Sequence, residues 1–148
     1  MRYLLDTNII LHIVRNSSVW QKIRTSYGLY EAENKIYISI VTYAEIKSIA
    51  KQLNWGQTKL KSLQELLGTI PTLMLNKRIS GKYVKIDVYS QGKDLENPLP
   101  YGISARNMGK NDLWIAATTE HIEAELITTD KDFNHLDNVF FKVHQIEQ

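Results

Sequence analysis

The sequence predicts an α/β fold with a mainly parallel sheet flanked by helices. Short apolar runs alternate with amphipathic helical stretches, and the chain-entry run and a late run, Leu126-Ile127-Thr128-Thr129, each end abruptly at a carboxylate. The connections between successive runs hold helices rather than tight turns, as a parallel sheet requires.

Arg2 to Leu5 form the first run, which stops at Asp6-Thr7-Asn8 and feeds a helix over 9–15. Ser17 and Ser18 offer N-cap hydroxyls for a helix over 19–32, whose later half Gly28 weakens. The β-branched and aromatic stretch 35–40 predicts a second strand. Thr42 caps the next helix in this reading, and Glu45 three positions on matches a capping box. Ala44, Ile46, Ile49, Ala50 and Leu53 mark its apolar face, with an end near Asn54. Beyond Gly56, leucines 60, 63, 66 and 67 predict an amphipathic helix ending before Gly68, and 70–75, interrupted by Pro71, an edge strand. Residues 79–90 carry both helical spacing and strand formers, and the spacing favours a helix. Residues 92–109 hold three glycines, Pro98 and Pro100, a connection long enough to be functional or mobile. Asn111 then caps a helix over 112–123, followed by a buried strand at 126–129, a brief helix at 132–136 and a last strand near 140–143.

Length and composition narrow the possibilities. The 148 residues suit one domain, 1–148, and the hydrophobic 43% and charged 23% are those of a globular protein. Absence of cysteine excludes disulfides, thiolate nucleophiles and cysteine-held zinc or iron–sulfur centres, and it fits a reducing cytoplasm. Asp6 and Asn8 interrupt the first apolar run before a signal-peptide core forms, and no apolar stretch reaches the roughly 18 residues of a membrane span. A net charge of +2 does not by itself announce a nucleic-acid binder.

The chemistry lies in the acids. In parallel sheets ligands gather outside the carboxyl ends of the strands. Asp6 and Asp130 follow strands, while Glu45 and Asp112 begin helices, so the fold can bring these four together. Grouped carboxylates repel one another and raise each other's pKa unless a cation neutralises them. Magnesium or manganese suits such hard oxygen donors and points to phosphate substrates and phosphodiester hydrolysis. Each acid also has an ordinary explanation: an N-cap for Asp6, a capping-box partner for Glu45, a helix-dipole partner for Asp112 and a surface turn for Asp130.

Four segments resemble the PIN-domain ribonucleases, and among them the VapC-type toxins of type II toxin–antitoxin pairs. They are Tyr3-Leu4-Leu5-Asp6-Thr7-Asn8, Ser39-Ile40-Val41-Thr42-Tyr43-Ala44-Glu45-Ile46, Gly109-Lys110-Asn111-Asp112-Leu113-Trp114-Ile115-Ala116-Ala117 and Leu126-Ile127-Thr128-Thr129-Asp130-Lys131-Asp132-Phe133, in family order. The resemblance implies a three-layer PIN-like fold and endonucleolytic cleavage of RNA with Mg2+ or Mn2+. It makes Asp6, Glu45 and Asp112 the principal acids and Asp130 the fourth, with Asp132 its competitor. It further implies a homodimer, and a complex with a small antitoxin whose tail enters the active-site groove. In the mechanism expected, Asp6 and Asp112 hold the main metal, Glu45 positions metal or water, and Asp130 completes the site. Thr7 and Thr128 can orient carboxylates, Arg106, Lys110 and Lys131 can touch phosphates, and Tyr43, Tyr101 and Trp114 can stack on bases, with core or dimer packing the better expectation for Trp114. Residues 75–110 are long for a compact VapC-type chain, and the connection before Asp112 is expected to border the groove. Two rival readings are a catalytically silent nucleic-acid- or protein-binding module on the same fold and a magnesium-dependent phosphohydrolase. The latter is disfavoured because Asp6-Thr7-Asn8 lacks the second aspartate of an Asp-x-Asp motif.

Overall fold

The computed structural model describes residues 1–148. Five parallel strands, β1 (Arg2–Leu5), β2 (Lys35–Ser39), β3 (Thr72–Leu73), β4 (Glu125–Thr128) and β5 (Val143–Gln145), form one sheet in the order β3-β2-β1-β4-β5. The chain therefore starts in the middle, builds outward through β2 and β3, then returns to the other side of β1 to add β4 and β5. That reversal opens a crevice at the carboxyl ends of β1 and β4, where open α/β sheets bind their ligands.

Six α-helices cover the sheet: α1 (Thr7–Val14), α2 (Ser18–Tyr27), α3 (Ile40–Gln52), α4 (Gln57–Thr69), α5 (Lys77–Ser90) and α6 (Lys110–His121). Alternation along the strands assigns the faces. Tyr3, Leu5 and Ile127 pack with Ile9, Ile10, Trp20, Ile46 and Leu63 from the first four helices, all of them buried. Leu4 and Leu126 point the other way, into a core with Ile79, Ile86, Leu113, Ala116 and Phe133 that belongs chiefly to α5 and α6. The result is the expected three-layer α/β/α arrangement with an all-parallel sheet.

Several boundaries differ from expectation for local physical reasons. Helix α2 ends at Tyr27 rather than running to 32, because Gly28 adopts the left-handed conformation (φ 55°) and terminates it. β2 passes into α3 without a loop, so Ser39 is the N-cap, its hydroxyl accepting from the Val41 N–H at 3.1 Å, and Thr42 already lies inside the first turn. The capping-box role expected for Glu45 is thereby excluded. Helix α4 continues through Gly68, where nothing lies within 4 Å of a Cβ position, and closes on Thr69. Residues 79–90 are helical, and Asn76 caps α5 by accepting from the Ile79 N–H at 3.0 Å. Gly109, not Asn111, is the N-cap of α6, which places Asp112 in its first turn. The last strand is displaced to Val143–Gln145, since Phe140 and Phe141 are used to fill the α5–α6 core.

Candidate functional site

The carboxyl end of β1 delivers Asp6 into the crevice. Its backbone N–H donates to the Ile127 carbonyl at 3.0 Å, which fixes it beside the end of β4. The side chain is 4% exposed. One of its oxygens accepts from the Thr7 N–H at 2.7 Å, so Asp6 is the N-cap of α1. The other accepts from the Thr128 hydroxyl, also at 2.7 Å. Thr128 is fully buried at the end of β4, and its oxygen in turn accepts from the Asp130 N–H at 2.9 Å. One hydroxyl thus locks two acidic segments together.

Thr7 ties in the third acid. Its hydroxyl donates to Glu45 Oε1 at 2.8 Å and lies 3.3 Å from the Thr42 hydroxyl. Glu45 reaches this position because α3 starts directly at the end of β2, which lies next to β1 in the sheet. From the opposite side, the first turn of α6 brings Asp112. Oxygens of Asp112, Asp130 and Asp132 all lie within 4.8 Å of one another, close enough to share a cation. Asp130 also accepts from the Asp132 N–H at 2.9 Å and so starts a 3₁₀ helix, Lys131–Leu136, that presents Asp132 on the rim.

All four acids expected from the sequence therefore reach one crevice, and Asp132 joins them rather than replacing Asp130. The electrostatics reflect the crowding. Burial, reinforced by the charges of Asp130 and Glu45 and opposed by the hydrogen bonds from Thr128 and Thr7, raises the Asp6 pKa to about 6. Asp112 is raised to about 7, first by burial and then by Asp6, Asp130, Glu45 and Asp132. None of the chain's three ion pairs involves these acids. A divalent cation fits this donor set, which offers only hard carboxylate oxygens.

The supporting residues sort differently. Thr7 and Thr128 do orient the carboxylates. Trp114 packs on Tyr83 with ring centroids 4.4 Å apart, beside the α5–α6 core, and Tyr43 carries the Lys47 ammonium 5.3 Å from its ring centre. Tyr101 is fully exposed on the connection before α6. Lys110 and Lys131 are exposed at the starts of α6 and the 3₁₀ helix. The sequence reading missed Thr42 as a buried contact of Thr7, and it missed a buried Ser90–His135 pair, bonded at 2.7 Å, whose histidine shares the 3₁₀ helix with Asp132. A histidine three residues beyond Asp132 in a short helix was the available signal.

Comparison with known proteins identifies the family of the chain. The family model described as PIN domain matches residues 3–139. Ribonuclease VapC1 of Haemophilus influenzae (strain R2866) is 31% identical over 138 residues, covering 92% of each chain. Among solved structures, VapBC-1 from nontypeable Haemophilus influenzae is similar with a TM-score of 0.70 and 25% identity, covering 98% of both chains. VapBC2 from Rickettsia felis, bound to a DNA fragment from its promoter, has a TM-score of 0.73 at 21% identity, covering 99% of this chain and 100% of the other. The model match spans every acid of the crevice, and with the relative's near-complete coverage it shows that the chain belongs to the PIN domain family.

Proposed function

We propose that the protein is a divalent-metal-dependent endoribonuclease that acts as the toxin of a VapBC-type toxin–antitoxin pair. The observation that carries this reading is the convergence of five carboxylates, Asp6, Glu45, Asp112, Asp130 and Asp132, where the strand order reverses. Buried like charges without a compensating cation are costly, so the arrangement makes sense as a metal site with an anionic substrate. Likeness to a relative named as a ribonuclease and to VapBC structures supports RNA as substrate and a small antitoxin as partner.

Asp6, Glu45, Asp112 and Asp130 would hold the cation, Asp6 and Asp112 chiefly, with Asp132 close enough to Asp112 and Asp130 to share it, and Mg2+ or Mn2+ matches the donors. Bound there, it would supply charge stabilisation to the phosphodiester under attack and lower the pKa of the attacking water. The chain's own residues do the positioning. Thr128 and the Thr7 N–H hold the Asp6 carboxylate in one orientation. Thr7 fixes one oxygen of Glu45 and leaves the second free to orient a water or accept its proton. The partly exposed Asp130 and exposed Asp132 form the mouth through which a strand enters. We also propose that residues 1–148 form one PIN domain, acting in the cytoplasm as a homodimer that assembles with the antitoxin. No helix is long and apolar enough to cross a membrane.

The test uses purified parent and Asp6→Asn proteins on single-stranded RNA with Mg2+ or Mn2+. The substitution keeps shape and removes one charge. Loss of cleavage by at least about a hundredfold is expected, the order typical for removing one stabilising group from a preorganised site. Equal rates for the two proteins defeat the assignment of the site. A parent that binds RNA but cuts none favours the silent binding module.

A further inference from the structure

Among the cations beside the crevice of acids, Arg106 is one that forms no ion pair and shares a cleft with Asp132. Arg106 lies on the connection between α5 and α6, and its backbone N–H donates to the Ser90 carbonyl at the end of α5 at 2.8 Å. Ser90 is fully buried and bonded through its hydroxyl to His135 Nε2 at 2.7 Å. His135 belongs to the same 3₁₀ helix as Asp132. Loop, α5 and 3₁₀ helix are thus fastened to one another at a single buried point, and this seat fixes the backbone that carries Arg106. The guanidinium sits near enough to the His135 ring to disfavour its protonation, adding to the effect of burial.

Arg106 Nε is enclosed by protein yet has no hydrogen-bond partner. No carboxylate lies within ion-pairing distance of the guanidinium, since the chain's three ion pairs are elsewhere. Instead Arg106, Ser104, Asn107 and Met108 line an open cleft of about 340 Å³ whose other wall is Asp132. Asp132 is also one of the three acids that approach within 4.8 Å, so cleft and carboxylate cluster share a wall. Arg106 lines the cleft on an anchored stretch of backbone and has no acid of its own, and the outer nitrogens of such a guanidinium can capture a phosphate through paired hydrogen bonds. It also offsets the repulsion that five carboxylates exert on a polyanion.

We propose that Arg106 binds a backbone phosphate of the RNA substrate, one flanking the scissile phosphodiester, and so sets the path of the strand along the cleft beside Asp132. The assignment rests on the nuclease reading above. It adds a contact that acts in substrate binding rather than in bond breaking.

The Arg106→Gln and Arg106→Lys proteins test it, with a short fluorescent single-stranded RNA as the probe. In cleavage assays Arg106→Gln raises KM by about tenfold with kcat nearly unchanged, and Arg106→Lys recovers part of that loss. In an Asp6→Asn background, the dependence of log K for RNA on log salt becomes shallower by about 0.7 with Arg106→Gln and keeps its slope with Arg106→Lys. Unchanged KM and unchanged slope overturn the assignment, as does an equal loss of slope in both variants, which marks a disturbed loop. Independently of any change at 106, the Arg106 Nε–H resonance of the Asp6→Asn protein shifts when the RNA is added, and an unmoved resonance overturns it too. If the parent cuts no RNA, the nuclease reading fails, while the slope and resonance still decide for or against Arg106.

Discussion

Thr128 holds two of the site's groups with one hydroxyl, donating to Asp6 and accepting from the Asp130 N–H. Replacing it by valine keeps the shape and strands both partners, a buried carboxylate oxygen and a backbone donor. The expected result is a stability loss of about 1–3 kcal/mol and a fall in metal affinity or activity of roughly 10- to 100-fold. Urea unfolding and a manganese titration of cleavage measure the two effects separately. An unchanged metal response in Thr128→Val would mean that Asp6 needs no such anchor. The positions of Asp6 and Asp112 were legible in the sequence because each sits where a strand or loop meets a helix. Glu45 was legible by its placement at the start of a helix, but its contact was not: the spacing from Thr42 imitates a capping box, and the partner it finds, Thr7, lies 38 residues away. Asp130 and Asp132 could not be told apart because a 3₁₀ turn, unlike an α-turn or a strand, brings both toward Asp112.

At the scale of the element, apolar periodicity, strand-forming composition and capping residues predicted the helices and strands, the last strand sharing only Val143 with its expected span, and several end positions depended on tertiary events. Val143–Gln145 replaced 140–143 as the last strand because the α5–α6 core claims two phenylalanines first. Gly28 shows the converse, a local signal that decides a boundary. At φ 55°, a Cβ there would meet the Glu31 carboxyl group at 2.7 Å. Glu31 is exposed and can swing away, so the conformational penalty dominates, and Gly28→Ala is expected to destabilise by about 1–2 kcal/mol in denaturant unfolding. The connection from α5 to α6 carries a second prediction. Its final residues wall the cleft beside Asp132, while Leu95 and Tyr101 project almost entirely into solvent. Deleting residues 93–104 also removes Leu99, which packs on the α5–α6 core, so some stability is lost with it. A folded deletion protein is nonetheless expected to cut a different set of RNA sites, as read by sequencing the 5′ ends of the products. An identical set of cut sites would detach this loop from substrate choice.

For the molecule as a whole, the acids and His135 pull stability in opposite directions with pH. Asp6 and Asp112 titrate in the folded protein near 6 and 7, above their ordinary value of 3.8. The folded state therefore binds more protons than the unfolded state above pH 4, and the stability these acids retain at low pH is lost as pH rises through about 6 and about 7. His135 is held neutral, its pKa lowered to about 4, so its contribution is present above about 6.5 and lost as pH falls toward 4. The two trends partly cancel, and a melting curve against pH alone reads their sum. Comparing melts with and without cation isolates the acids, because His135 contributes equally to both. Mg2+ or Mn2+ binds the ionised carboxylates and has to displace protons from Asp6 and Asp112 at low pH. At pH 8 a cation present at about a hundred times its Kd adds about 2.7 kcal/mol, a rise in Tm on the order of 5–10 °C. At pH 5 the same concentration is expected to add almost nothing. Asp112→Asn should shrink the cation-induced rise at pH 8 and, by removing a buried charge, raise the Tm of the cation-free protein there. A cation effect of equal size at both pH values would show that the ion binds away from these carboxylates.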